Sequence, residues 1–416
     1  MSSMPRIALL MSSSAGYERG LLRGIARYGR QHGPWVFLLA GTQPGIPVSD
    51  ATITKPRTKP ARTKNVSGGR RCPSCNLREL GVTGIIGRLH SPRTADAVLA
   101  SGLPAIAMDL TDEQLLPSSP LSRLSEIRPD SPKAGRLAAE HLLERGFRRF
   151  AFCGYPVENW SRWREEGFRN RLRESGFDCS VFQPRGTDSR VAWQRELPAV
   201  MAWLASLTKP VGLMTCNDVR GRQVVEACAM GGLHVPNDVA VVGVDEDHLL
   251  SELSNPPLSS VAFHAEQAGY RAAELLHRLM RGETLPLQRI LVDALWVVPR
   301  LSTDVTAVED RDVAAAVSFI RGNAREPIGV DDVVKQAAIS RRALEIRFRR
   351  TLGRSIRDEI QRLRIGWAQQ LLLETNLSVA KIAEAAGFSS LSYLSKVFRR
   401  AAGETLGEYR RNHRVP

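Results

Sequence analysis

The residues best placed for chemistry lie on two short basic stretches near the C-terminus, Arg341–Thr351 and Ser390–Ala401. Each carries an apolar pair one helical turn apart, Leu344/Phe348 and Leu394/Phe398. If these stretches are helices, the pairs face a core and the opposite face points outward. In the first helix that face holds Arg342, Glu345 and Ile346, flanked by Arg341 and Arg349. In the second it holds Leu391, Ser392, Ser395 and Lys396, with Arg399 and Arg400 following. Such residue types read DNA. Arginine takes guanine bidentately, glutamate accepts from cytosine N4, and an aliphatic side chain meets a thymine methyl. The flanking arginines suit phosphates. On a lone helix these residues would only be a solvated basic face.

Their setting is duplicated. The stretch VDDVVKQAAISRRALEIRFRRTLG from Val330 returns as VAKIAEAAGFSSLSYLSKVFRRAAG from Val379, with a one-residue slip in the turn. A loop absorbs such a slip without disturbing either helix. Each copy predicts a short amphipathic helix (Val330–Ala337, Ser378–Ala385), a tight turn and a reading helix capped by Ser340 or Ser390. A long helix over Ser355–Glu374, with Ile360, Leu363, Trp367 and Leu371 on one face, connects the copies, and Leu406–Arg410 closes the second.

Charge agrees with this placement. The 416-residue chain has a net charge of +15. Residues 305–416 contribute +7 and residues 51–78 contribute +8, while the rest is neutral. A basic C-terminal region on a neutral body predicts a nucleic-acid partner at that end. No apolar run is long enough for a bilayer, so no membrane partner is expected. The opening apolar run Ile7–Met11 is too short for a signal-peptide core, which predicts a cytoplasmic protein. Six cysteines in a chain of this length read as reduced thiols. Cys72 and Cys75 have zinc-like spacing without a second pair, so no metal is expected. There is no GxxxxGK loop, no GxSxG elbow and no HExxH, and therefore no catalytic constellation or cofactor. Asp245-Glu246-Asp247-His248 reads as a solvated run at a strand end.

The body up to Asp304 alternates short apolar strands with amphipathic helices. Strands are expected at Arg6–Met11, Trp35–Ala40, Gly84–Leu89, Pro104–Asp109, Arg149–Gly154, Val181–Gln183, Val211–Cys216 and Val239–Val244. Helices are expected at Tyr17–His32, Thr94–Ser101, Lys133–Arg145, Glu165–Ser175, Leu197–Ser206, Asp218–Met230 and Ala265–Arg281. Alternation of this kind predicts parallel sheets covered on both faces, with ligands beyond the strand C-termini. The length calls for two sub-domains with a cleft between them. Residues 43–78 break the pattern: rich in Pro, Thr, Lys and Arg, they lie where a helix is due, of which only Leu77–Leu80 remains. A disordered basic loop, a nucleic-acid tether and a locally shifted reading frame all fit them.

Several phrases of the body resemble the lactose-repressor type of sugar sensor, itself similar to periplasmic sugar-binding proteins. They are SEIRPD leading into AGRLAAEHLLERGFRRFAFCG, then VGLMTCNDVRGRQVVEA, DVAVVGVDED and PPLSSVAFHAEQAGYRAAELL. The resemblance implies sugar-hydroxyl contacts from Asp109, Arg164, Asn217 and Asp245, with Ser12 and Ser13 weaker candidates at the same edge. Carboxylates and amides bridge vicinal hydroxyls, and a guanidinium fixes their orientation. Each strand-end residue could equally serve as a cap or ion-pair partner. Trp160 and Trp163, in NWSRWR, could stack on a sugar ring or pack in the core.

The C-terminal phrases RIGWAQQLL, IAEAAGFSSLSYLSKVFRRAAG and GEYR resemble the arabinose-regulator type of DNA-binding domain. Leu406 departs from that pattern, where proline is usual. Unlike the sugar-sensor family, this chain has no helix-turn-helix ahead of its first strand; the DNA reader stands at the other end. The expected fold is an α/β two-lobed periplasmic-binding-protein-like sensor over 5–304, then an all-α domain with two helix-turn-helix units over 305–416. The implied function is ligand-responsive transcription regulation, sensing xylose or a related sugar and controlling carbohydrate-utilisation genes. Its partners would be the major groove of double-stranded DNA at two adjacent segments, a sugar effector, a second copy of the chain, and RNA polymerase. A solute-binding transport protein leaves the basic module unexplained, and a sugar-modifying enzyme lacks an acid–base motif.

Overall fold

The structure is a computed structural model that describes residues 4–40, 77–183, 193–304 and 310–413. The anomalous segment up to residue 76, with Cys72 and Cys75, and most of the junction after Asp304 lie outside the described residues. The chain divides into two compact units. The first comprises Met1–Asp130, Glu158–Trp160 and Phe263–Asp293; the second comprises Ser131–Val157, Ser161–Ala262 and Ala294–Pro416.

The first unit is built on a six-stranded sheet of order β11-β5-β4-β3-β1-β2. Its strands are β1 (Arg6–Leu10), β2 (Val36–Leu39), β3 (Gly84–Arg88), β4 (Ala105–Met108), β5 (Ser125–Pro129) and β11 (Arg289–Val292). All five neighbouring pairs are parallel. Strand periodicity sends Ile7, Leu9 and Met11 into one core and Ala8 and Leu10 into another, so both faces are buried. The first core is closed by α1 (Gly16–His32) and α8 (Ala265–Met280), the second in part by α2 (Pro92–Ser101). Helices α1 and α8 touch through glycine. A Cβ on Gly24 would lie 1.9 Å from the Glu266 carbonyl oxygen, and one on Gly269 would lie 2.1 Å from that of Leu21.

The second unit contains a six-stranded sheet of order β12-β10-β9-β8-β6-β7. Its strands are β6 (Phe150–Cys153), β7 (Cys179–Val181), β8 (Val211–Thr215), β9 (Val239–Val244), β10 (Ser259–Phe263) and β12 (Ala294–Val298). Helices α3 (Ser131–Glu144), α4 (Asn159–Arg173), α5 (Trp193–Ser206), α6 (Asp218–Met230) and the short α7 (His248–Leu253) connect them.

The same unit includes α9 (Arg311–Asn323), α10 (Val330–Val334), α11 (Arg341–Leu352), α12 (Ile356–Glu374), α13 (Val379–Ala385), α14 (Leu391–Ala402) and α15 (Leu406–His413). These form two helical cores bridged by α12. Val317, Val333, Leu344, Phe348, Ile356 and Ile360 fill the first, and Ile365, Leu372, Ile382, Leu394 and Phe398 the second.

Five expectations need correction. The strand expected at Val181–Gln183 lies two residues earlier, as β7. Leu77–Leu80 forms a turn, not the end of a helix, although Leu77 is buried. The helix expected over Val330–Ala337 stops at Val334. Helix α4 begins at Asn159, so NWSRWR is its first turns. Strands β5, β10, β11 and β12 add to the alternation; the first pairs as a parallel strand within a polar phrase, SEIRP, that lacks an apolar run.

Candidate functional site: strand-end clusters and a DNA-reading module

In the first unit, Arg88 is the last residue of β3 and Asp109 the first after β4, so neighbouring parallel strands deliver both to the sheet's C-terminal edge. Arg88 Nη2 lies 2.8 Å from Asp109 Oδ2, and Arg88 Nε lies 3.1 Å from Oε1 of Glu18 in the first turn of α1. Glu18 Oε2 accepts from the Ser12 backbone N–H at 2.6 Å, which ties the end of β1 to the same cluster. Burial opposes the Arg88 charge, but Asp109 and Glu18 outweigh it and raise its pKa. Asp109 sits at φ 54° and is 7% exposed. Its Oδ1 is buried with no hydrogen-bond partner among the described residues. A buried acceptor left open in this way suits a ligand hydroxyl. Ser12 and Ser13 border the cluster; the Ser12 hydroxyl is engaged with Ser14 at 2.6 Å, and Ser13 is exposed. Trp160 is half-buried and donates to Glu158 at 3.1 Å.

In the second unit three residues converge. Arg164 on α4 donates to Asp245 Oδ1 at 2.9 Å and through Nη1 to the Cys216 carbonyl. Helix α4 is brought close to α3 by paired glycines: a Cβ at Gly135 would lie 2.1 Å from the Arg164 carbonyl oxygen, and one at Gly167 would lie 2.1 Å from that of Pro132. Asn217 follows β8 and caps α6, its Oδ1 accepting from Arg220 N at 2.9 Å. The Asn217 amide also carries two N–H donors suited to a ligand. Asp245 and Glu246 hold φ of 106° and 47°, a strained pair for residues with side chains. Asp218 holds this turn. It accepts from Ser260 Oγ at 2.6 Å and from Asp247 N at 2.7 Å. Burial, then Asp245, pushes the Asp218 carboxyl well above its ordinary value. Trp163 is half-buried.

The run Asp245–His248 is thus not one solvated stretch. Asp245 pairs with Arg164, Glu246 with Arg300, and Asp247 caps α7. Among the described residues, no group of three His, Cys, Asp or Glu could hold a metal. Glu18, Arg88 and Asp218 went unnoticed in the sequence. For Arg88 the strand-end position was the available signal.

The DNA-reading module has the expected register. Leu344, Phe348, Leu394 and Phe398 are fully buried. Arg341, Arg342, Glu345, Ile346, Arg349, Ser392, Ser395, Lys396, Arg399 and Arg400 are exposed. Leu391 is only half-exposed and packs on the second core, which reduces the surface it offers to a base. Arg341 bonds Asp331 at 2.7 Å and Glu345 at 3.0 Å, so Arg341 and Glu345 form an ion pair on the exposed face of α11. Ser340, Ser355, Ser378 and Ser390 cap their helices, and Gly353 and Gly403 end the reading helices at φ 72° and 78°. At Leu406 the proline is not missed: Thr405 and Glu408 cap α15 reciprocally at 2.8 and 3.3 Å.

The module is docked on the sheet-bearing part of its unit. Arg362 on α12 pairs with Glu144 at the end of α3. Arg354 donates to the Glu144 carbonyl at 3.3 Å, and Arg148 donates to the Thr351 carbonyl at 2.6 Å. Glu359 is fully buried and bonds both Arg354 (2.6 Å) and Arg362 (3.0 Å). Burial would raise the Glu359 carboxyl, but Arg362 and Arg354 hold it down at about 2.

Comparison with known proteins agrees with the two kinds of domain. Residues 139–303 match the periplasmic binding protein-like domain, and residues 333–412 match a helix-turn-helix domain. The xylose operon regulatory protein of Escherichia coli (strain K12) is 38% identical over 273 residues, 65% of this chain and 69% of the relative. That of Haemophilus influenzae is 28% identical over 98% of both chains. A solved structure described as a xylose-binding transcription activator aligns over the whole of both chains, with 29% identity and a TM-score of 0.57. The chain belongs to the family of xylose operon regulatory proteins.

Proposed function

We propose that this protein is a sugar-responsive DNA-binding transcription regulator whose effector is D-xylose or a closely related pentose. The observation that carries it is the joining, in one chain, of strand-end Asp/Arg clusters with a duplicated DNA-reading module. In the first unit Asp109 Oδ1 accepts a sugar hydroxyl while Arg88 holds the other oxygen. In the second, Arg164, Asp245 and the Asn217 amide supply donors and acceptors; Trp163 there, and Trp160 in the first unit, offer apolar ring faces. Ser12 and Ser13 complete the candidate set.

Arg342 and Ile346 read base edges from α11, with Ser392, Ser395 and Lys396 from α14, at two adjacent major-groove segments. Arg349, Arg399 and Arg400 contact phosphates. Residues 5–304 constitute the sensor and 305–416 the reader. Homodimerisation, contact with RNA polymerase, cytoplasmic residence and the absence of catalysis belong to the same proposal. Its support is that the relatives named above are transcription regulators, and that no helix among the described residues is long and apolar enough to cross a membrane.

Titration calorimetry of the full chain with D-xylose tests the effector. Saturable binding that is weakened at least about 10-fold in Asp245→Ala is expected. Unchanged affinity in Asp245→Ala, or no response to any pentose, would remove the assigned site.

A further inference from the structure

Helix α3 touches both working parts of the second unit. Near its start, Pro132 and Gly135 meet α4 at backbone distance, next to Arg164. At its end, Glu144 and the following Arg145 and Arg148 reach the reading module and its approach. Arg145 donates to the Thr303 carbonyl at 2.8 Å and to the His141 carbonyl at 3.1 Å, and His141 meets the Thr303 hydroxyl at 2.8 Å. Thr303 is in turn bonded to Ser259 on β10 at 2.7 Å. Glu144 takes Arg362 through its carboxylate and Arg354 through its carbonyl. Arg148 takes the Thr351 carbonyl in the last turn of α11, the first reading helix.

We infer that Glu144 and Arg148 are positioning residues for DNA reading: they fix α11 and α12 to the α3 end, so that α3 carries movement of α4 at Arg164 to the first reading helix. The effector part of this inference rests on the sugar-sensing reading above. Three physical features support it. The contacts fall at both ends of one rigid helix. They are made through backbone carbonyls and to Arg354 and Arg362, both of which a fully buried acid, Glu359, holds in place, and this fixes geometry more tightly than surface charge pairs do. And they engage α11 and α12 on the side away from the exposed base-reading face, so losing them removes no DNA contact. Neither residue touches sugar or DNA; each acts through another element, in a contiguous packed network.

The test uses the full chain, D-xylose, and a DNA duplex selected by the protein from a random pool. Allosteric coupling of this kind is typically about 5- to 150-fold in affinity. In Glu144→Ala/Arg148→Ala, the ratio of duplex affinities with and without D-xylose should collapse to within about twofold of one. D-Xylose affinity without DNA should stay within about twofold of wild type. A variant that keeps the wild-type ratio overturns the inference. So does one that loses D-xylose binding itself, since that marks a structural role for the sheet-bearing part.

If the unmodified chain shows no D-xylose response, the sugar reading fails, and a ligand-free measurement still decides the docking. Spin labels replace Met230 on α6 and Ile346 on α11, both 59% exposed. Docking predicts one narrow distance that broadens in the double variant. A distribution already broad in the unmodified chain, or equally narrow in the variant, refutes it.

Discussion

Arg88→Met offers a severe test of how the first unit is held together. The substitution keeps most of the side-chain volume and removes the charge between Glu18 and Asp109, which lie 3.1 and 2.8 Å from the guanidinium. At an effective dielectric of about 20, each attraction is roughly 5–6 kcal/mol, and desolvation of three charges offsets most of it. The net worth of these pairs is therefore small, but leaving two buried carboxylates without their shared arginine is costly. Removing one partner of a buried pair costs about 3–5 kcal/mol.

For a body of about 150–250 residues, that corresponds to a fall of about 6–20 °C in unfolding midpoint. The pH dependence gives the sharper signature. In the variant, burial of these acids without the neutralising arginine favours their protonated form in the folded state. Stability is then fully present at pH below about 4 and lost as pH rises. The deficit relative to wild type should be greatest near pH 7 and shrink towards pH 4–5. Thermal unfolding of both proteins across this range is the assay. A deficit independent of pH would mean that packing, not charge, is what Arg88 supplies, and would refute the reasoning.

Four further outcomes follow from the same geometry. Asp245→Ala removes the carboxylate that pairs with Arg164, whose side chain is 3% exposed, and should weaken D-xylose binding by about 10- to 150-fold, the range for a lost charge-assisted hydrogen bond; calorimetry checks it while duplex affinity without sugar stays unchanged. Arg342→Ala should relax base preference at one position by about 1–3 kcal/mol, whereas Arg399→Ala should weaken binding to all sequences alike and flatten the salt dependence; selection from a random pool at two salt concentrations separates them. Glu359 has its pKa held down at about 2, so its stabilisation is present above about pH 4.5 and lost as pH falls towards 2; Glu359→Gln should lower the unfolding midpoint at pH 7, and the gap should narrow below pH 4. Gly24→Val places a Cβ 1.9 Å from a backbone oxygen of α8 and should abolish soluble expression, while Gly176→Ala, which meets nothing within 4 Å, should cost only its backbone strain.

How much of this could be read from the chain depends on whether the signal was local. The reading helices were legible because Leu344/Phe348 and Leu394/Phe398 set a helical phase, and serine caps and terminal glycines mark the ends. Strands with continuous apolar runs, such as Val239–Val244, were equally plain. Asp109 and Asp245 were legible as strand-end residues, although their left-handed backbone was not. Pairings between distant elements left no local trace. Arg88, Glu18 and Asp109 come from three different elements, and only the parallel register of β1, β3 and β4 brings them together. Asn217 shows the converse: its place after a strand was legible, but the helix cap that its carbonyl oxygen makes was not. Leu391 is outward by phase, yet it packs on the second core and is half-covered. Strand β5 escaped notice because Glu126 and Arg128 interrupt its apolar residues, and their mutual ion pair is what lets them lie in a buried strand.

The central claim is that sugar binding at the strand-end clusters changes DNA binding by the helical module. Fluorescence anisotropy of the full chain on its selected duplex, with and without saturating D-xylose, measures this directly. The account predicts a change in affinity of at least about fivefold, reciprocated as the same factor in D-xylose affinity when DNA is present. Equal affinity in the two conditions, with D-xylose shown by calorimetry to be bound, would contradict it.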